Sequence, residues 1–131
     1  MKCVFCSSTN TSTTNSRSTR SQTQTWRRKH CKKCKRVFTT FEKPDMKHLA
    51  ITKDNSASPY HRSQLYMSIA QSFQGNNRDY SLIDMLVDTV EIKLLKQKDT
   101  TIASKELARL TLATIKPIDK KAYLHYLAEH S

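Results

Sequence analysis

The chain has 131 residues and a formal net charge of +12, with 23 lysine and arginine residues against 11 aspartate and glutamate residues. This length allows one ordinary domain or two small ones, and small domains bury too little surface to be stable without a further constraint such as a metal. The charge is uneven, because residues 1–47 hold 12 basic and 2 acidic side chains whereas residues 48–131 hold 11 and 9. This asymmetry predicts a module that binds a polyanion, joined to an ordinary globular domain.

The sequence gives no indication of secretion or of a membrane span. Met1 and Lys2 lead directly into the first cysteine, without the apolar core of a signal peptide. No later apolar run approaches the roughly 20 residues that span a bilayer. We therefore expect a cytoplasmic protein with no membrane partner. The two disulfides that four cysteines could form in a secreted scaffold are the less favoured alternative.

The four cysteines form two Cys-x-x-Cys pairs, Cys3/Cys6 and Cys31/Cys34, separated by 24 residues. A gap of two residues lets both sulfurs of a pair reach one ion, and structural zinc prefers a closed tetrahedron of thiolates. The pattern predicts one structural Zn²⁺ per chain. His30 and His48 are alternative ligands, although four cysteines already complete the shell.

The residue after the second cysteine of such a pair commonly has a positive φ angle, for which glycine is the least strained choice. This chain has Ser7 and Lys35 at the two positions. We therefore expect a ribbon that is somewhat less stable than one with glycine there.

A cluster of nine basic residues without an acidic one lies on either side of the second cysteine pair. Its members are Arg17, Arg20, Arg27, Arg28, Lys29, Lys32, Lys33, Lys35 and Arg36. The long segment between the cysteine pairs predicts a protruding hairpin, and the phosphate backbone of double-stranded DNA is its natural partner. The predicted DNA-binding residues are Arg17, Arg27, Arg28, Lys29 and Arg36. The alternative is a solvated surface that only maintains solubility. Trp26 is expected to pack on the ribbon rather than stack on a base.

The second part of the chain begins with a predicted β-hairpin over residues 44–60. A short apolar run at 48–52 is followed by a polar turn at 53–56 and by Pro59 and Tyr60. From Arg62 onward the apolar residues recur with the period of a helix.

Four helices are predicted after this hairpin. The first buries Leu65, Ile69 and Phe73 and ends at Gly75-Asn76-Asn77. The second begins at Ser81, with Asp84 completing a capping box, runs to about Gln97, and buries Leu82, Met85, Leu86, Thr89, Val90, Lys93 and Leu94. The third is capped by Ser104, buries Leu107, Leu110, Thr111, Thr114 and Ile115, and stops before Pro117. The fourth is capped by Asp119 and buries Ala122, Tyr123, Tyr126 and Leu127.

The predicted fold class is therefore α+β, with a small zinc ribbon over residues 1–43 and a β-hairpin plus four-helix domain over residues 44–131. No catalytic residues are predicted and the chain is not expected to be an enzyme. The metal shell is closed, and no Ser/His/Asp, Cys/His or glycine-rich phosphate loop is present in a sequence with a single glycine, Gly75.

Several motifs of the chain resemble the NrdR family of bacterial transcriptional repressors. They are the Cys3-x-Phe5-Cys6 start, Asn15-Ser16-Arg17, the run Trp26-Arg27-Arg28-Lys29-His30-Cys31, the ending Arg36-x-Phe38-Thr39-Thr40-Phe41-Glu42, Ser104-Lys105, and Asp119-Lys120-Lys121-Ala122-Tyr123. The resemblance covers nearly the whole chain. It implies a zinc ribbon followed by an ATP-cone that binds ATP or dATP. In that family nucleotide changes the oligomeric state, and one homo-oligomer binds an operator of ribonucleotide reductase genes.

The resemblance places the nucleotide between Ile51 and Leu65. Lys53 and Arg62 would contact the phosphates, with Tyr60 near the base. Thr52, Ser58 and Gln64 stand where family members usually have charged residues. The alternative is a DNA-binding ribbon on a degenerate cone that only oligomerises and does not sense nucleotide.

Overall fold

The computed structural model describes residues 1–19, 23–73 and 79–130. The chain forms two compact units, Met1–Asp45 and Met46–Ser131. Strands with a four-cysteine cluster form the first unit, and strands with four helices form the second. This confirms the predicted α+β class. The sequence predicts a division after residue 43, and the functions of the two parts stay a prediction.

The first unit is a three-stranded antiparallel sheet in the order β1-β2-β3, made of β1 (Thr11–Ser18), β2 (Thr25–Cys31) and β3 (Val37–Glu42). A register shift between Thr13 and Asn15 marks a bulge in β1. Its buried core consists of Cys3, Cys31 and Phe38 alone among the described residues. So small a core cannot offset the conformational entropy of ordering the sheet.

The second unit begins with the predicted hairpin, formed by β4 (Ala50–Lys53) and β5 (Ser56–Pro59). Asp54 has a φ angle of 50° in its turn. A third strand, β6 (Thr101–Ala103), pairs in parallel with the other edge of β4. This strand was not predicted, because three residues are too few to show an alternating apolar pattern.

Four helices complete this unit: α1 (Arg62–Ser72), α2 (Tyr80–Lys96), α3 (Ser104–Ile115) and α4 (Lys120–His130). They share one apolar core with β4, β6 and the segment around Leu49 and Tyr60. The predicted inward faces of α1, α3 and α4 are confirmed, with Leu107, Tyr123 and Leu127 half-buried. The predicted end of α1 at residues 75–77 lies outside the described residues. Within the described part of the chain, no helix is both long and apolar enough to cross a membrane.

The predicted inward face of α2 was partly wrong. Leu86, Val90 and Leu94 are buried as predicted, but Ile83 and Val87 complete the stripe, and Met85 is 65% exposed. The stripe at 83, 87, 90 and 94 is entirely aliphatic, whereas the predicted one included Thr89 and Lys93. Burial of the fully apolar stripe loses no polar hydration and therefore prevails.

Two of the three predicted helix caps were also wrong. Asp79 caps α2 by accepting hydrogen bonds from the backbone N–H groups of Ser81 and Leu82, so Ser81 lies inside the helix. Ser104 is the first residue of α3 and makes no capping hydrogen bond. Asp119 caps α4 as predicted, accepting from the Ala122 N–H at 3.0 Å. A carboxylate two residues upstream of Ser81 is the stronger cap because it also interacts favourably with the helix dipole.

Candidate metal centre and nucleic-acid interface

Two equivalent knuckle turns carry the cysteines. The Ser7 N–H donates to the Cys3 carbonyl at 3.0 Å, and the Lys35 N–H donates to the Cys31 carbonyl at 2.9 Å. Ser7 and Lys35 have φ angles of 63° and 65°, which confirms the expected left-handed positions. A residue with a Cβ atom loses roughly 1–2 kcal/mol in this conformation. Each knuckle is therefore strained, and something else must hold it closed.

The four sulfur atoms lie within 4.8 Å of one another. Cys3 Sγ is 3.7 Å from Cys34 Sγ, and Cys6 Sγ is 3.6 Å from Cys31 Sγ. A tetrahedron with Zn–S bonds of about 2.3 Å has edges of about 3.8 Å, so the cluster fits one zinc ion. Neither His30 nor His48 belongs to it. The four thiolates and the distances between them support a Zn²⁺ site with no coordination position open to a substrate.

Electrostatics explain why the cluster requires a cation. The backbone N–H of Cys34 lies 3.4 Å from Cys31 Sγ and lowers the pKa of Cys31 to about 6, although burial opposes this shift. At Cys34 the backbone N–H of Arg36 also acts to lower the pKa. Burial and the three neighbouring sulfurs outweigh it and raise the pKa to about 11. Four adjacent thiolates are therefore unstable alone, and a divalent cation would compensate their charge.

The register of the sheet separates its side chains into two faces, because directly paired residues share a face. Cys31, Phe38 and the ion-paired residues lie on the knuckle face, which we define as Thr11, Thr13, Ser16, Ser18, Thr25, Arg27, Lys29, Cys31, Phe38, Thr40 and Glu42. The opposite surface is the open face, which we define as Ser12, Asn15, Arg17, Trp26, Arg28, His30, Val37, Thr39 and Phe41. Phe41 is 67% exposed and Trp26 is half-buried.

The five predicted DNA-binding residues have different surroundings. Arg27 forms an ion pair of 3.0 Å with Glu42, and Lys29 donates to the Thr13 hydroxyl at 2.9 Å. Glu42 lies outside the basic cluster in sequence, so the neutralisation of Arg27 was not anticipated.

The remaining three predicted DNA-binding residues are exposed arginines, and the guanidinium groups of two of them lie over aromatic rings. The Arg17 guanidinium is 5.8 Å from the Trp26 ring centroid, and that of Arg36 is 5.0 Å from the Phe5 centroid. Arg28 is exposed on the open face. Trp26 thus contacts a neighbouring strand, in the manner expected for packing on the ribbon.

The residues predicted to bind nucleotide are not gathered in one pocket. Ile51, Tyr60 and Leu65 line a cavity of about 90 Å³. Lys53 lines a different cavity of about 540 Å³. Arg62 donates to Asp88 at 2.8 Å and to Glu91 at 2.5 Å.

Tyr60 and Arg62 instead belong to a polar network that joins the start of α1 to α2. The Tyr60 hydroxyl donates to Glu91 Oε2 at 2.8 Å, and Asp84 lies 3.3 Å from Arg62. Burial, reinforced by the Glu91 carboxylate, raises the pKa of Tyr60, so the hydroxyl stays protonated and remains a donor. Asp84, Asp88 and Glu91 recur at helical spacing on α2, so the sequence already places these carboxylates on one face of the helix.

The larger cavity contains Lys105 and His130, which were not among the predicted site residues, together with the predicted Lys53. Lys53 and Asp54 come from the hairpin, Ser104 and Lys105 from the start of α3, and Glu129 and His130 from the end of α4. Because the N-cap residue Ala103 makes no side-chain hydrogen bond, the first N–H groups of α3 receive no capping side chain. Lys105 and His130 could have been found only from the packing of α3 and α4 beside the hairpin.

Comparison with known proteins agrees with the geometry of the ribbon. Residues 1–42 match the family model described as "Transcriptional repressor NrdR-like, N-terminal domain". The chain is 32% identical over 127 residues to the transcriptional repressor NrdR of Hyphomonas neptunium, covering 96% of this chain and 80% of the relative.

The NrdR of Albidiferax ferrireducens is also 32% identical over 127 residues, with 96% of this chain and 85% of the relative covered. That of Agathobacter rectalis is again 32% identical, with 96% and 84% covered. These similarities extend through both units. The chain therefore belongs to the NrdR family, whose members are transcriptional repressors and not enzymes.

Proposed function

We propose that the chain is a zinc-dependent, nucleotide-responsive repressor that binds double-stranded operator DNA in the cytoplasm and controls ribonucleotide reductase genes. DNA binding is supported by one observation above all, which is that the four-sulfur cluster adjoins a strongly cationic β-sheet. The region 1–43 is proposed to bind DNA, and the region 44–131 to bind nucleotide and to self-associate.

The charge of the ribbon supports DNA as the partner. Contacts between lysine or arginine and phosphate release counterions, and this release drives association. Residues 1–47 have a large basic excess, with only Glu42 and Asp45 to offset it. Arg17, Arg27, Arg28, Lys29 and Arg36 are the proposed contacts.

The cavity of about 540 Å³ supports a nucleotide effector, ATP or dATP. Its volume is typical of small-molecule sites, whereas a cavity of about 90 Å³ beside Tyr60 is too small for a nucleotide. Lys53, Lys105 and the N-terminus of α3 provide positive charge and N–H donors for a polyphosphate. Asp54 and Glu129 also line the cavity and oppose this attraction, so a bound Mg²⁺ ion would strengthen it.

An apolar groove on the second unit supports self-association. Leu82 and Met85 of α2 face Ala113, Pro117 and Ile118 across a cavity of about 260 Å³. Met85 is 65% exposed and Ile118 is 53% exposed. A second copy of the chain would remove this apolar surface from water and gain free energy in proportion to the area buried.

Calorimetric titration with ATP and dATP in the presence of Mg²⁺, combined with light scattering, tests the effector. We expect binding heat and a change in mass for the wild type, and loss of both for Lys53→Ala and Lys105→Ala. Lys98→Ala is the matched control, because Lys98 is exposed and does not line the cavity. No heat and no change in mass would favour the alternative, a DNA-binding ribbon on a nucleotide-blind oligomerisation domain.

A further inference from the structure

We propose that the four cysteines are also a redox site, at which a hydroperoxide joins Cys6 to Cys31 and Cys34 to Cys3 by disulfides. The ribbon loses its zinc in the process. The inference goes beyond the proposed function, because it makes the metal-dependent unit sensitive to oxidant. Only its consequence for DNA binding rests on that function.

Each knuckle combines one buried sulfur with one accessible sulfur. Cys3 and Cys31 are 3% and 0% exposed, whereas Cys6 and Cys34 are half-buried. The buried sulfurs also lie near backbone donors, with the Phe5 N–H 3.4 Å from Cys3 Sγ and the Cys34 N–H 3.4 Å from Cys31 Sγ. An oxidant that arrives from solvent therefore meets Cys6 and Cys34 first.

Each accessible sulfur has a buried sulfur of the other knuckle beside it. Cys6 Sγ is 3.6 Å from Cys31 Sγ, and Cys34 Sγ is 3.7 Å from Cys3 Sγ. Cysteines that sense oxidants are typically accessible and lie next to a second cysteine that resolves the oxidised sulfur as a disulfide. The site has this arrangement twice, and both pairs connect the first knuckle to the second.

The reaction consumes one hydroperoxide for each disulfide. The Cys34 thiolate attacks a peroxide oxygen, so that an S–O bond forms and the O–O bond breaks, and the departing hydroxide takes up a proton to give water. The Cys3 thiolate then attacks the Cys34 sulfur, so that the S–S bond forms and the S–O bond breaks. The second hydroxide also leaves as water. The two thiolates lose two electrons and the peroxide gains them. Cys6 and Cys31 react in the same way with a second hydroperoxide.

The charge around the cysteines favours the departure of hydroxide. Residues 1–36 contain no acidic residue. Lys33 and Lys35 flank Cys34 in sequence, and both are exposed. Positive charge close to a reacting centre stabilises the negative charge that develops on the leaving oxygen. The accessible sulfur of the second knuckle therefore lies in surroundings that assist its oxidation.

Oxidation should act on the first unit alone. All four cysteines of the chain lie in residues 1–34. The first disulfide removes two of the four thiolates that hold zinc, and the described part of the ribbon has only three buried core residues to replace the metal. Since both disulfides join the knuckles to each other, the sulfurs stay near their partners and reduction can rebuild the site. The proposed operator binding is then lost on oxidation and regained on reduction.

Titration of the zinc-loaded full chain with hydrogen peroxide tests the inference. A chromophoric chelator measures released zinc, and mass spectrometry of tryptic peptides maps the disulfides. We expect the first equivalent of peroxide to release the zinc ion, because two remaining thiolates hold it weakly.

The sequence makes the disulfide map easy to read. Trypsin cleaves after lysine and arginine, so Cys3 and Cys6 stay together on peptide 3–17, whereas Cys31 and Cys34 fall on peptides 30–32 and 34–35. The proposed disulfides join peptide 3–17 to both short peptides, and fragmentation between Cys3 and Cys6 identifies which sulfur holds which peptide. Disulfides within the Cys3/Cys6 or Cys31/Cys34 pairs, or zinc retained after two equivalents of peroxide, would overturn the proposal.

Two controls make this result specific to the folded site. Met67 and Met85 are 56% and 65% exposed and compete for the same oxidant. Sulfoxide at these methionines before any disulfide would count against a redox site. The chain oxidised in urea and chelator should instead form disulfides within each Cys-x-x-Cys pair, because closing a short loop costs the least entropy. The cross-knuckle map in that unfolded control would show that the folded geometry does not direct the pairing, and would also overturn the proposal.

Fluorescence anisotropy of a labelled duplex tests the consequence for DNA binding. We expect the untreated chain to bind, the oxidised chain to lose binding, and a dithiol reductant with added zinc to restore it. Undiminished affinity of a fully oxidised, zinc-free chain would overturn the switch. If the untreated chain bound no duplex, the proposed function would fail, whereas zinc release and the disulfide map would still decide the redox site.

Discussion

The two units of this chain are stabilised by different means. Among the residues that the structure describes, the first has three buried core residues, two of which are cysteines, whereas the second has sixteen. Apolar burial contributes about 25 cal/mol per Å², so it can stabilise the second unit but not the first. One chain thus combines a metal-dependent ribbon with an ordinary apolar domain, and each should respond to a different perturbation.

Removal of zinc should have the largest effect and should be confined to the first unit. Structural zinc contributes on the order of 10–16 kcal/mol of apparent binding free energy in small peptides. Cys31→Ser should therefore unfold residues 1–43 and leave the helices folded. NMR should show a loss of amide chemical-shift dispersion for the ribbon residues alone. Addition of a chelator to the wild type should produce the same change. Coincident unfolding of both units would contradict the claim that zinc stabilises only the first unit.

Truncation of the α2 core should act only on the second unit. Ile83→Ala removes a fully buried side chain and should lower the free energy of unfolding by about 2–5 kcal/mol. Met85→Ala, two residues away on the exposed side, should change it by less than about 0.5 kcal/mol in the monomeric chain, where the proposed self-association groove is uncovered. Chemical denaturation followed by circular dichroism measures both. Equal losses would mean that the inward face of α2 is misassigned.

The Tyr60 hydroxyl should have a smaller effect that depends on pH. Tyr60→Phe leaves Glu91 Oε2 without its hydrogen-bond donor, while Arg62 still donates to Oε1, and should cost about 1–3 kcal/mol at neutral pH. Because the folded-state pKa of Tyr60 is raised, its stabilising effect is complete below the unfolded pKa of about 10 and decreases as pH rises above it.

The difference in stability between wild type and Tyr60→Phe should therefore narrow in alkaline solution. Thermal unfolding of both proteins across this range measures it. A difference that widened above pH 10 would contradict the protonated hydroxyl.

The smallest effect concerns the two strained knuckles. Ser7→Gly and Lys35→Gly relieve positive φ angles and should each stabilise the zinc-bound ribbon by about 0.5–1 kcal/mol. Competition with a chromophoric chelator should then show tighter zinc binding. Ser8→Gly is the control, because Ser8 is not among the residues with positive φ and should gain nothing. Weaker zinc binding in both knuckle variants would contradict the claim that the positive φ angles of Ser7 and Lys35 destabilise the ribbon.

Local patterns predicted much of this structure. The Cys-x-x-Cys spacing located the four sulfurs, and the turn after Lys53 located the hairpin, since both depend on residues close in sequence. Helical periodicity located the helices of the second unit. On α2 it could not choose between two overlapping apolar stripes, because only packing against the other helices decides between them.

Features that depend on tertiary contacts escaped prediction. Glu42 neutralises Arg27 across two strands, and Arg62 is held by carboxylates of α2 rather than placed toward a phosphate. Lys105 and His130 join Lys53 only because α3 and α4 pack beside the hairpin. In each case the partners are far apart in sequence and no local spacing relates them.

The central claim is that zinc holds the cationic ribbon in a form that binds DNA. Fluorescence anisotropy of a labelled duplex, titrated with the zinc-loaded and the zinc-stripped chain over a range of salt concentrations, tests it most directly. We expect tight binding only with zinc, with a log–log salt slope of roughly −0.9 per phosphate contact. Equal affinity and an equal slope after complete zinc removal would contradict it.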